Sequence, residues 1–209
     1  MLPHTHFSVL MRPDKRLAAV TGLGIDGGKL MDLGRSGIPW KLDPRLPEDQ
    51  QTGARVYAGS DIDRGHLVRR ASAVWGDTHA EAAQANEDTF HYTNAAPQAA
   101  KFNQGLELWL GLESNLLDNA ADHRRRLLVF TGPVFTGHDP VYRGVGIPLR
   151  FFKSPYSSTT PRWEQPGTSW TRHPSWQTCR TCHGREFRTA LPRSARSGPF
   201  KSRSGTSLH

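Results

Sequence analysis

The 209-residue sequence predicts an α+β domain. Three observations carry that prediction. Short β-permissive segments bounded by Gly, Pro and Asp lie at both ends of residues 1–153, residues 104–117 repeat apolar side chains at helical spacing, and a strand, loop, strand and helix follow one another between them. The length suits one domain with a substantial core.

In order, Phe7, Val9 and Met11 alternate on one face, and residues 17–25 are apolar up to the turn signal Asp26-Gly27-Gly28. These segments read as a hairpin with Lys15 and Arg16 near its turn. Residues 36–59 are rich in Pro, Gly, Asp and Gln and read as surface loop. Residues 61–67 read as a strand end that delivers His66 to the edge of a cleft. Residues 78–86 are expected to form a short helix capped by Asp77 or Thr78. Alternation at residues 90–94 predicts a strand. Leu106, Trp109, Leu110, Leu116 and Leu117 then define a helix over 104–117, with Asn103 at its start. Residues 125–130 and 147–152 complete the set as core strands.

The formal charge is +8, which at first points to a nucleic-acid partner. Its distribution weakens that inference. Residues 154–209 hold nine Lys and Arg against Glu164 and Glu186, a net of +7, so residues 1–153 carry only +1. Charge near the candidate site is local: Arg64, Arg69 and Arg70 surround His66. No apolar run is long enough for a transmembrane helix, and Asp14, Lys15 and Arg16 interrupt any secretory signal core. The expected location is cytoplasmic, or exported if an upstream segment is missing. The only cysteines, Cys179 and Cys182, lie in the tail and leave the compartment of the body undetermined.

The chemistry concentrates in Asp63-Arg64-Gly65-His66, Thr93-Asn94 with Pro97-Gln98, and Phe102-Asn103-Gln104. A histidine can take a proton from water near neutral pH. Arginine offers a phosphate a planar fork of donors and keeps its charge. An asparagine carbonyl is a hard oxygen ligand of the kind Mg²⁺ accepts while retaining most of its waters. Together these groups form a minimal kit for hydrolysing a phosphodiester.

These clusters, followed by Trp109 with Leu112-Glu113, resemble the DNA/RNA non-specific endonuclease family with its DRGH motif. The resemblance extends to residues 6–9, 24–27, 129–135 and 147–153. It implies a ββα-metal (His-Me finger) fold with a central antiparallel sheet, and a metal-dependent hydrolase cutting DNA and RNA with little sequence preference. It implies His66 as general base, Asn103 as the direct ligand of Mg²⁺ (or Mn²⁺), Arg64 as phosphate clamp, and Asn94 and Glu113 as further site residues. Products with 5′-phosphate ends follow from the same likeness.

Two departures stand out. Ile38 replaces an arginine two residues before Trp40, and Arg35 and Arg45 are the nearby alternatives. Glu113 lies ten residues after Asn103, where the family spacing is eight. On an unbroken helix that shift amounts to roughly 200°. Either the extra length is absorbed before the helix begins or Glu107 takes the place of Glu113.

Beyond Lys153 the composition changes: residues 154–209 contain only Leu191 and Leu208 among Val, Ile and Leu. Such a segment is expected to be disordered, because it cannot bury enough apolar area to offset its ordering entropy. The domain division is therefore 1–153, with an incomplete C-terminal part of the fold, and a basic tail at 154–209. That tail contains Cys179-Arg180-Thr181-Cys182-His183, which has haem-attachment spacing but no folded surroundings. A catalytically impaired nucleic-acid binder is the alternative to an active nuclease. Oligomeric state is not legible.

Overall fold

The computed structural model describes residues 1–35, 37–105 and 109–157, with the backbone of 177–178. Strands β1 (Leu2–Pro3), β2 (Phe7–Arg12) and β3 (Leu17–Asp26) open the chain. The expected hairpin is β2–β3, and Arg16 leaves its turn in the left-handed region at φ 58°. The loop that follows contains a short α-helix, α1 (Ala54–Tyr57), before β4 (Ile62–His66) and α2 (Arg70–Ala73). Helix α3 (His79–Asp88) matches the expected helix, and Thr78 caps it by accepting a hydrogen bond from the Glu81 amide at 3.2 Å.

Two expectations give way to the structure. Residues 90–94 form turns rather than a strand, because backbone bonds such as Phe90 N to Glu87 O (3.0 Å) and Asn94 N to His91 O (2.9 Å) prolong the winding of α3. The strand begins only at β5 (Ala95–Ala99). The single helix expected over 104–117 is two: α4 (Ala100–Gln104), ended by extended Gly105, and α5 (Trp109–Asp122). The chain continues through β6 (Arg126–Pro133), the ribbon β7 (Val141–Tyr142) and β8 (Val145–Gly146), β9 (Arg150–Ser157) and β10 (Gln177–Thr178). Strand β9 crosses Lys153, where the composition changes. The haem-spacing pentad and the rest of the tail, beyond the β10 backbone, lie outside the described residues.

Six strands make one antiparallel sheet in the order β1-β2-β3-β6-β9-β10, while β4–β5 and β7–β8 are separate ribbons. Period-two alternation sets the inner face: Leu127, Val129 and Thr131 of β6 are buried, and Leu128 and Phe130 face out. Against that inner face pack Phe102 and Trp109, whose rings lie 5.6 and 5.9 Å from Phe151 on β9. Burial of an aromatic side chain of this size is worth about 2–3 kcal/mol. Helix α5 reaches the sheet closely because Gly27 has no Cβ, which would overlap the Ala120 carbonyl. Among the described residues, no helix is long and apolar enough to cross a membrane.

Arg45 does structural work at the chain's start. Its guanidinium grips the fully buried Asp43 carboxylate at 2.8 and 2.6 Å and donates to the Pro3 carbonyl at 2.6 Å. Burial alone would raise the Asp43 carboxyl, but the bonds from Arg45 hold it below its ordinary value. Replacing Arg45 with Met should therefore cost on the order of 2 kcal/mol in urea unfolding at pH 7. Because Asp43 is depressed in the folded state, this cost should shrink as pH falls below the ordinary carboxylate range; a cost independent of pH would contradict the pairing.

Candidate active site

The ribbon β4–β5 positions the central motif. Asp63 pairs with Gln98, Gly65 with Ala96, and His66 with Ala95. Glycine is required at 65, since the Gln98 side chain occupies the space a Cβ would need. Just past the ribbon, fully buried Asn94 clamps the chain: Oδ1 accepts from Val68 N (2.9 Å), and Nδ2 donates to the carbonyls of Val68 (3.1 Å) and Thr89 (3.0 Å). With Leu67 N donating to Asn94 O, this fixes the direction in which the chain leaves His66. Asn94 acts on backbone and does not line the cavity described below.

His66 ends β4 with its ring 4.8 Å from Trp40 and edge-on to Phe90 at 5.5 Å. The loop bearing Trp40 is held there by bonds from Lys41 N to Phe90 O and from Tyr92 N to Lys41 O. His66 Nε2 is buried and makes no hydrogen bond among the described residues. Burial, and then the positive charges of Arg35, Arg70 and Lys153, push the imidazole down to about 3. The ring is neutral at physiological pH, as a proton acceptor must be.

Asn103 sits on α4, which Asp63 ties to β4. Asp63 Oδ2 accepts from Asn103 Nδ2 at 3.0 Å and from Gln104 Nε2 at 2.7 Å. A carboxylate can only face the NH₂ end of an amide, so Asn103 Oδ1 is left as its available ligand atom. The helix breaks at Gly105, so the 200° displacement of an unbroken helix does not arise, and Glu113 lines the same cavity as Asn103. Glu107 lies outside the described residues. Glu113 is buried, with Oε1 3.1 Å from Lys153 Nζ and Oε2 4.0 Å from Arg69 Nε. Burial raises the Glu113 carboxyl and lowers the Lys153 ammonium, and their mutual attraction opposes both shifts.

These residues converge on a half-open cavity of about 530 Å³ whose lining includes His66, Asn103, Glu113, Arg35, Arg69 and Arg70. Arg64 does not line it: the side chain is exposed, two residues before His66, with its guanidinium 5.9 Å from the Trp40 ring. Arg45 is committed to Asp43, which leaves Arg35 as the loop arginine at the site. Lys153 was missed in the sequence. Besides Glu113, it binds the carbonyl of Leu67, next to His66, at 3.1 Å. Alternation with buried Phe151 was the available signal that Lys153 points inward.

The lining fits a divalent cation and a phosphate. One amide oxygen on a rigid helix, in a cavity wide enough for water, suits a hard ion that keeps most of its hydration. Arg69 Nη1, like His66 Nε2, is buried without a partner among the described residues and can serve an anionic oxygen.

The chain resembles known proteins in both sequence and fold. The family model for the DNA/RNA non-specific endonuclease matches residues 1–198. An uncharacterized protein of Sinorhizobium fredii, y4fB, is 43% identical over 161 residues, covering 73% of this chain and 24% of its own length. Mitochondrial endonuclease G of Homo sapiens is 31% identical over 109 residues, covering 46% of this chain and 34% of that protein. Nuclease C1 of Cunninghamella echinulata is 31% identical over 156 residues, covering 66% and 57%. The chain thus spans from about a quarter to somewhat over half the length of these curated relatives. A chain in the crystal structure of the EndoG/EndoGI complex shares the fold with a TM-score of 0.61 at 18% identity, covering 74% of this chain and 66% of that one.

The depressed His66 makes a prediction about pH. Below its ordinary value of 6.5 the unfolded chain binds a proton there that the folded chain refuses until about 3, so stability should fall as pH drops through that interval. Imidazole NMR at pH 5 should find His66 neutral, and His66→Ala should flatten the pH dependence of Tm between 6.5 and 4. Titration of His66 near 6.5 would contradict the assigned environment.

Proposed function

The chain belongs to the DNA/RNA non-specific endonuclease family, and from that premise we propose that it is a metal-dependent endonuclease hydrolysing phosphodiester bonds of DNA and RNA. The observation that carries the proposal is the meeting, on one arginine-lined cavity, of a neutral His66 and an Asn103 whose amide is oriented by Asp63. Strand β4 and helix α4, far apart in sequence, supply His66 and Asn103.

In this reading Arg35, Arg69 and Arg70 draw the substrate phosphate into the cavity and hold it against His66. The charge of that phosphate opposes the arginine charges that depress His66, so binding raises the basicity of the ring as substrate arrives. His66 then accepts a proton from the water whose oxygen attacks phosphorus. The bond to the 3′ oxygen breaks, leaving a 5′-phosphate and, after the leaving oxygen takes up a proton, a 3′-hydroxyl. Asn103 Oδ1 would hold Mg²⁺ or Mn²⁺, which when bound offsets negative charge growing on the phosphate and leaving oxygen. Lys153 and Arg69 hold Glu113 at the cavity wall.

Incubation of the purified chain with plasmid DNA and with RNA tests this. Mg²⁺ should give cleavage, EDTA should abolish it, and His66→Ala should reduce it by about 10²-fold or more. Cleavage that survives the alanine substitution would sink the role of His66, and binding of nucleic acid without cleavage by the unmodified chain would favour a non-catalytic binder.

A further inference from the structure

A second cavity, of about 490 Å³, is walled in part by Trp40. Its lining includes Arg16, Arg55, Arg143, Trp40, Tyr92 and one acid, Glu48. The arginines differ from others in the molecule. Arg12, Arg45 and Arg126 each face an aspartate. Arg16, Arg55 and Arg143 have no carboxylate within 4 Å among the described residues. Two of them are nevertheless held in place by backbone. Arg16 donates from Nε and Nη2 to the Gln51 carbonyl (3.2 and 2.9 Å), and Arg143 donates from Nη1 to the carbonyls of Arg55 and Ala58 (both 2.6 Å). Carbonyls fix a guanidinium without neutralising it, so the cavity carries an ordered excess of positive charge with donors to spare.

Its wall connects it to the first cavity. Trp40 touches His66 at 4.8 Å, lies under Arg64 at 5.9 Å and meets Tyr92 at 5.6 Å between ring centroids. Trp40, a wall of the second cavity, thus packs against His66, a wall of the first. We propose that the second cavity is a nucleotide subsite: it takes the nucleotide adjoining the cleaved phosphodiester, with its phosphate on the arginines and its base against Trp40 and Tyr92. Fixed arginines beside aromatic rings hold nucleic acid with little regard to base, because every phosphate is anionic and every base has a π-face. The assignment rests on the nuclease reading and adds where the strand runs. It also gives Arg64, which lies outside the first cavity, a role over the Trp40 ring.

The test uses the full chain and three proteins: unmodified, Arg55→Glu, and Arg12→Glu, the last making the same charge change outside both cavities. Arg55 is exposed, which favours folding of the variant, and matching Tm values will confirm it. A labelled single-stranded oligonucleotide of about ten nucleotides is titrated in EDTA and followed by fluorescence anisotropy. Arg55→Glu should weaken Kd about tenfold or more and lower the slope of log Kd against log salt by about one, while Arg12→Glu stays within about twofold. With Mg²⁺, Arg55→Glu should raise KM for the oligonucleotide more than for bis(p-nitrophenyl) phosphate, which is too short to span both cavities. Equal effects of the two substitutions on Kd, or no effect of Arg55→Glu, would overturn the subsite. Absence of all cleavage by the unmodified chain would instead overturn the nuclease reading, and the difference in Kd would still decide the subsite.

Discussion

The site depends on the Asp63 carboxylate bridging to α4. One oxygen, Oδ2, accepts from both Asn103 and Gln104, and so joins the helix to β4 three residues before His66. Bonds to an ionised carboxylate are stronger than neutral ones, and the pair tethers a five-residue helix that would not persist alone. The same contact decides which end of the Asn103 amide faces the cavity. Position and chemistry are set together by one side chain.

Around that bridge the rest of the site is braced from the sheet. Lys153 leaves the buried face of β9 and reaches both Glu113 on α5 and the Leu67 carbonyl beside His66. Asn94 closes the other side through backbone bonds alone. Buried charges of this sort are poor sources of stability, since desolvation offsets much of their attraction. Their value here is positional, because they keep cations and the neutral imidazole at fixed separations around one cavity.

Much of this was legible in the sequence where the signal was local. The hairpin, the Thr78 cap, and His66 and Asn103 each rest on neighbours within a few residues. Alternation failed at residues 90–94 because nearly everything from Thr89 to Gln98 is buried, so hydrophobicity there marks no face. Periodicity also ran through Gly105 and hid the break between α4 and α5. Lys153 and Glu113 are forty residues apart, and neither reads as a partner of the other without the fold. Whole-chain charge misled for a similar reason: the cations that matter, Arg35, Arg69 and Arg70, come from a loop and a strand exit within a nearly neutral body.

In the proposed reaction Asp63 orients Asn103 so that its oxygen, and not His66, would hold the cation. Mn²⁺ titration followed by electron paramagnetic resonance addresses it without requiring turnover. Bound Mn²⁺ is expected in the unmodified chain and in His66→Ala, with affinity weakened about tenfold or more in Asn103→Ala and in Asp63→Ala. Equal Mn²⁺ affinity in all four proteins would contradict it.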